Sequence, residues 1–340
     1  MAKITLAAEW EEQSAILMAW PHKNSDWEYI VDEAEKCYKE IVSAISKYQK
    51  VILIVNNNKT KEKLENIFSK NVSFHIIETN DTWARDFGAI TIKNGKKLQL
   101  LDFKFNGWGL KFASDKDNLI TQKLYKKGVF NKEVEYINRL NIVLEGGAIE
   151  SDGKGTLLTT SECLLSPNRN GEWSKEQIED YLIREFGLER VLWLNHGYLA
   201  GDDTDSHIDT LARLCSEDTI TYIKCDNPDD EHFEELTKME KELHSFRTIK
   251  GNPYNLIPLP MADEVIFDGE RLPATYANFL IINEAVIVPT YNSLKDKTAL
   301  AQISKAFPDR EIVGVDCNAL IKQHGSLHCV TMQFPVGAID

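Results

Sequence analysis

Six cysteines in 340 residues (Cys37, Cys163, Cys215, Cys225, Cys317 and Cys329) form no C-x-x-C and follow no regular spacing. Long apolar runs are also missing. The longest, near Phe279 to Pro289, is broken by Asn283 and Glu284 and falls far short of a membrane span. The amino terminus, Met1-Ala2-Lys3-Ile4-Thr5, has no basic stretch leading into an apolar core, so no signal peptide is expected. Together these absences predict reduced thiols in a cytoplasmic protein. Positive charge is in short supply, 39 Lys and Arg against 53 Asp and Glu, for a net charge of −14. That balance argues against nucleic acid or an anionic membrane as a main partner. It is compatible with a cationic substrate, although solubility alone accounts for many acidic proteins.

No stretch is rich enough in proline, glycine or serine to be a linker, and no segment is of low complexity. There is no G-x-G-x-x-G after an early strand and no P-loop. Glu145-Gly146-Gly147-Ala148 has too few glycines, wrongly spaced, for a dinucleotide fingerprint. No nucleotide cofactor is expected.

What is present is an apolar content of 43%, enough for a sizeable core. Trp27, Ile30, Val31, Ala34, Cys37, Tyr38, Ile41, Val42 and Ile45 recur every three and four residues. They predict one long amphipathic helix, entered through a Ser25–Glu28 capping box. Val51–Val55 reads as a buried strand, followed by a polar helix over 59–69. Further helices are predicted near 116–127, 174–186 (Ser174 with Gln177 in capping spacing), 229–245 and 297–307. Short β-rich runs lie between them: 74–78, 89–92, 98–103, 155–160, 190–194, 219–224, 279–282, 286–289, 311–315 and 327–333. Strands in small groups thus alternate with single helices about five times. A doubly wound sheet and a ring of βαβ units would both show this rhythm.

Cys329, in Gly325-Ser326-Leu327-His328-Cys329-Val330-Thr331, is a candidate nucleophile if a neighbouring positive charge or helix end lowers its pKa. Alone it could equally be a buried small hydrophobe. Read as a strand, the segment turns His328 away from Cys329, so His328 is a poor base for it. His207-Ile208-Asp209, if extended, puts an imidazole and a carboxylate on one face. The preceding Gly201-Asp202-Asp203-Thr204-Asp205-Ser206 reads as part of a pocket or as a solvated acidic turn. Its spacing matches neither an EF-hand nor a zincin helix, so no metal is expected. In Asp81-Thr82-Trp83-Ala84-Arg85-Asp86, either Arg85 pairs with the acid beneath a packed tryptophan, or Asp86 faces a pocket while Arg85 braces the loop. Glycine after Glu145 would let the backbone approach a ligand closely.

Taken in order, these strings resemble the agmatine deiminase family, within the guanidine-modifying (pentein) superfamily that includes bacterial peptidylarginine deiminase. The strings are Glu9-Trp10-Glu11, Ala19-Trp20-Pro21, Asp81 to Gly88, Glu145-Gly146-Gly147, Gly201 to Arg213, Leu272 to Phe279, Val288-Pro289-Thr290, Phe307 to Arg310 and Leu327 to Thr331. The resemblance implies a five-fold pseudosymmetric α/β propeller of repeated ββαβ-type units, one catalytic domain over 1–340, with the site on the central axis. By position it makes Cys329 the nucleophile and His207 the general acid/base. Asp86 and Asp209 become the carboxylates that grip the guanidinium, Glu145 an additional acid, and Trp83 and Asp203 residues close to the substrate. It further implies a homodimer, no cofactor, and agmatine as the substrate, in putrescine and polyamine biosynthesis. The sequence departs from the family at Ala89 (proline is usual), at Gln323-His324-Gly325-Ser326 (the family tends to read G-G-G) and at Thr275 (serine is usual).

The chemistry is consistent on its own terms. A guanidinium is planar and multiply donating, so two carboxylates can fix its plane and select against a simple amine. A thiolate then attacks the central carbon, and an imidazolium protonates the departing ammonia. Water, deprotonated by the neutral imidazole, hydrolyses the resulting thiouronium. Three alternatives stay open: a deiminase of free or peptidyl C-terminal arginine, a cysteine amidohydrolase of neutral amides, and a non-catalytic guanidine- or polyamine-binding protein.

Overall fold

A computed structural model describes residues 3–340. Met1 and Ala2, at the head of the expected 1–340 domain and of the amino-terminal stretch read above, lie outside the described residues. The long apolar stripe forms a helix over Val31–Ile45 and buries Ala34, Cys37, Tyr38, Ile41, Val42 and Ile45. It does not start from a capping box. Ser25 Oγ instead donates to the carbonyl of His22 at 2.7 Å, and a 3₁₀ turn over Glu28–Ile30 leads into the helix. Ser174 does cap its helix, Lys175–Phe186, with reciprocal bonds to Gln177, and Gly187 closes that helix in the left-handed conformation.

One local topology recurs five times. An antiparallel pair is followed by a helix and then by a strand parallel to the second member of the pair. Ile90–Asn94 and Lys97–Lys104 pair antiparallel, and Glu135–Val143 adds in parallel after the helix Ile120–Lys126. The same order joins Ile149–Ser151, Thr156–Thr160 and Arg190–Leu194 through the capped helix. It joins Ala212–Leu214, Thr219–Lys224 and Asn255–Pro260 through Phe233–Ser245. It recurs in Leu280–Ile282, Ala285–Thr290 and Glu311–Asp316 through Asp296–Ala306. In the fifth sheet the carboxy-terminal strand Met332–Pro335 pairs antiparallel with Gln13–Ala19, which is followed through the long helix by Lys50–Val55 in parallel. The strand Lys50–Val55, central in its sheet, is buried on both faces from Val51 onward, which is why Val51–Val55 is apolar without alternation. One hydrophobic cluster runs from Leu6 to Ala338 through all five sheets.

One expected strand is wrong. Leu327–Val330 is a turn, and the strand begins only at Met332. The apolar character of Leu327 and Val330 reflects burial of that turn, which Thr331 closes by donating from both its N–H and its Oγ1 to the His328 carbonyl.

Candidate active site

The segment just before the first strand of each antiparallel pair supplies a polar group to one place. These segments are the helix Ala84–Phe87, the 3₁₀ turn Gly146–Ala148, the 3₁₀ turn Ile208–Thr210, the turn ending at Asn278, and the turn carrying Cys329. Their contacts close into a ring. Arg85 N–H donates to the Cys329 carbonyl at 3.1 Å, and Gly147 N–H donates to Asp86 Oδ1 at 3.0 Å. His207 and Asp209 pack against Gly147, and Asn278 Nδ2 donates to the Asp209 carbonyl at 3.4 Å. Asn278 Oδ1 accepts from the backbone N–H of His328 at 2.8 Å and of Cys329 at 3.4 Å, and lies 3.4 Å from Cys329 Sγ.

Cys329 and Asp86 line a cavity of about 390 Å³. Its walls are aromatic (Trp83, Trp108, Phe112, Tyr29), and Asp26, Asp81 and Asp203 also line it, without a lysine or arginine. Gly325 packs flat on the Trp83 indole, where a Cβ would come within 2.3 Å of the ring. Asp203 is at the rim, 43% exposed, with the His324 ring 3.9 Å away. His207, Asp209 and Glu145 are fully buried beside this cavity.

His207–Asp209 is not extended. His207 precedes a 3₁₀ turn, and Thr210 donates to its carbonyl from both N–H and Oγ1. Both side chains still face the same piece of backbone, because glycine at 147 carries no Cβ to stand against them. A Cβ there would lie 2.6 Å from His207 Nδ1, 3.0 Å from Asp86 Oδ1 and 3.1 Å from Asp209 Oδ2. The close approach that the glycine permits is therefore to these side chains. Asp86 also accepts from Trp108 Nε1 at 3.0 Å, and His207 Nδ1 is 3.8 Å from its other oxygen. Arg85 does not pair with Asp86. It bonds Gln333 Oε1 at 2.6 Å and lies 3.8 Å from Glu9. Glu145 accepts from Arg169 Nε at 2.9 Å and 3.0 Å. The acidic loop is not a solvated turn: Asp202 accepts from Thr204 and Ser206, and Asp205 pairs with Lys111 and Arg169.

Burial dominates the electrostatics. It lifts Asp86 to about 8, assisted by the charges of Asp209 and Glu145. It raises Glu145 against the pull of Arg169, and Asp81 to about 6. It pushes the Cys329 thiol well above its usual value, with Asp209 and Asp86 adding to the rise, so the expected lowering by a positive neighbour is absent. Burial holds His207 down to about 3. Asp209 is the exception: burial opposes its ionisation, but the His328 ring, His207 and Arg213 together outweigh burial and keep its carboxyl low. His207 Nε2 and Asp209 Oδ1 are buried without a hydrogen-bond partner. Such atoms are costly unless something fills the space beside them.

Among the described residues, two clusters have donor atoms within 4.8 Å of one another, Glu145–Cys163–His207 and Glu9–Glu150–His328. Neither suits a metal. Arg169 already occupies Glu145, burial keeps the Cys163 thiol protonated, and the Arg213 guanidinium fills the second cluster. Sequence reasoning missed Trp108, Arg169 and the role of Asn278. An asparagine directly before an apolar strand, at the place where the other four sheets carry their polar groups, was the available signal for Asn278.

The family model of the Porphyromonas-type peptidyl-arginine deiminase matches residues 5–335. A Porphyromonas gingivalis structure described as "Putative Arginine Deiminase" is 49% identical, covers 99% of this chain and 100% of its own, and superposes with a TM-score of 0.94. The C. jejuni agmatine deiminase with substrate bound is 41% identical over 98% of this chain and 97% of its own, with a TM-score of 0.92. A Legionella pneumophila (strain Paris) protein named "Putative agmatine deiminase" is 33% identical over 97% of this chain and 95% of its own. The α/β fold described above is therefore that of the agmatine deiminases. This chain belongs to the Porphyromonas-type peptidyl-arginine deiminase family and is a deiminase, a hydrolase of guanidine C–N bonds.

Proposed function

We propose that the protein hydrolyses agmatine to N-carbamoylputrescine and ammonia, with Cys329 as nucleophile and His207 as acid and base. The reading rests on one observation: Cys329 opens into a cavity lined by carboxylates and aromatic rings and by no lysine or arginine. Agmatine carries a guanidinium at one end and an ammonium at the other, so both ends suit such walls. Arginine would bring its α-carboxylate towards Asp26, Asp81 and Asp203 with no cation to receive it.

In this reading the guanidinium lies against Asp86 and Asp209, taking up the unpartnered Oδ1 of Asp209, with Cys329 below its central carbon. Its charge opposes the burial and the Asp209 charge that hold the thiol protonated, and a thiolate forms. His207, neutral in the free protein, takes up the proton that the thiol releases. Sulfur bonds to carbon, the C–N bond breaks, and the imidazolium delivers its proton to the leaving ammonia. Water then attacks the thiouronium carbon, loses a proton to His207, and displaces the sulfur to leave the ureido product. Trp83 and Asp203 contact the aliphatic and ammonium parts of the substrate, and Glu145 keeps the pocket around His207 acidic. The same reading includes a five-fold propeller arrangement of the sheets in one catalytic domain, a cytoplasmic homodimer, no nucleic-acid partner, and a place in putrescine formation from arginine. Among the described residues, no helix is long and apolar enough to cross a membrane.

The test compares ammonia and ureido product from agmatine, free arginine and a short peptide ending in arginine, with wild type and Cys329→Ala. Agmatine is expected to be preferred by orders of magnitude and Cys329→Ala to be inert. A preference for either arginine substrate would replace agmatine. A fully active Cys329→Ala would remove the nucleophile, and with it the mechanism.

A further inference from the structure

His328 is buried at 1% exposure and makes no contact with the cavity. Its ring joins two carboxylates. Nδ1 is 2.7 Å from Asp209 Oδ2, and Nε2 is 2.7 Å from Glu9 Oε2. Arg213 Nη2 stands 3.1 Å from Nε2 and 2.9 Å from Glu9 Oε2, and Arg213 Nε is paired with Glu150. Arg85 Nη2 is 3.8 Å from the same Glu9 oxygen. A carboxylate held at neither oxygen turns easily about its last torsion. Asp209 is instead held at Oδ2 alone, and its Oδ1 is the atom left without a partner. The backbone N–H of His328 shares the Asn278 Oδ1 acceptor with Cys329, so one turn carries both the ring that holds Asp209 and the thiol.

We propose that His328 is a positioning residue: it anchors Asp209 through Oδ2 to the buried Glu9–Arg213–Glu150 cluster, sets Oδ1 towards the guanidinium, and fixes that clamp in register with the sulfur of the next residue. This rests on the reading of Asp209 as a guanidinium clamp. It explains why a histidine lies beside the nucleophile without serving it. The ring's bonds run to Asp209 and Glu9, while the sulfur faces Asn278.

Two substitutions separate the two ends of the ring. The amide nitrogen of asparagine can stand where Nδ1 stands and keep the bond to Asp209. Glutamine reaches the Nε2 position and keeps only the bond to Glu9. Steady-state deimination of agmatine is measured for wild type, His328→Asn, His328→Gln, Asp209→Asn and the double variant, with melting temperatures alongside. His328→Gln is expected to raise KM roughly ten- to hundredfold, the worth of a hydrogen bond to a charged group. His328→Asn should recover at least about fivefold of that loss at a similar melting temperature, and His328→Gln should add no further loss to Asp209→Asn. Equal losses in both single variants, or full additivity in the double variant, would overturn the proposal. Should His328→Gln not fold, a KM for His328→Asn as poor as that of Asp209→Asn would do the same. If Asp209→Asn is impaired while His328→Gln keeps the wild-type KM, this inference alone falls. If Asp209→Asn is itself unimpaired, the clamp reading falls with it.

Discussion

The backbone N–H of Gly147 donates to Oδ1 of Asp86 at 3.0 Å, from a position where any side chain would intrude on the site. A Cβ at 147 would lie 2.6 Å from His207 Nδ1, and His207 is held by its own buried turn and cannot retreat cheaply. Gly147→Ala should therefore lower kcat/KM by about 10² or more, the scale seen for small misplacements in active sites. Deimination kinetics check this. Wild-type kinetics in Gly147→Ala would show that His207 and Asp86 need not be this close.

Asp86 should couple substrate binding to proton release. Its folded-state pKa, about 8, lies above the ordinary value, so at pH 7 the carboxyl is mostly protonated in the free protein. A bound guanidinium favours the ionised form and lowers that pKa. Agmatine binding to Cys329→Ser at pH 7 is therefore expected to release up to about one proton, and affinity should rise from pH 6 towards pH 8. Calorimetry in buffers of differing ionisation enthalpy measures the release. Proton uptake, or binding that weakens over that range, would contradict the assignment. Asp86→Asn should bind without the release and without turnover.

Asp203→Asn should separate binding from chemistry. The side chain sits at the cavity rim, away from the buried cluster. Its loss is expected to raise KM for agmatine about three- to tenfold, with kcat close to wild type and melting unchanged. A fall in kcat at constant KM would move Asp203 into the chemistry.

Ser174→Ala serves as the stability control. Removing this cap costs about 1 kcal/mol, which for a chain of this size lowers Tm by roughly 1–2 °C. Activity on agmatine should not change. A scanning melt and a kinetic assay suffice. A loss of activity would mean that the helix Lys175–Phe186 reaches the site.

Much of the fold was legible because its signals are local. Arg190–Leu194 and Thr219–Lys224 fall where their β-rich runs begin and end, and the Ser174–Gln177 spacing forms a true capping box. Ser25–Glu28 has the same spacing but makes no such box, since Ser25 finds the His22 carbonyl instead. Leu327–Val330 failed for a related reason. Four residues that read as a strand by hydrophobicity are buried as a turn, because Asn278, some fifty residues away in sequence, takes two of their N–H groups.

The reacting groups were also legible: a thiol, an imidazole and separated acids can be listed from the sequence, and their order resembles one family. Composition and periodicity determined the alternation of strand groups and helices, and the residue types determined which reactions are chemically available. Only the tertiary structure decided which oxygen of Asp209 is engaged, that Trp108 holds Asp86, and that thiol and imidazole are both neutral before a cation arrives. The physical reason is that burial and the field of distant charges set protonation, and both depend on segments as far apart as Glu9 and His328 meeting in space.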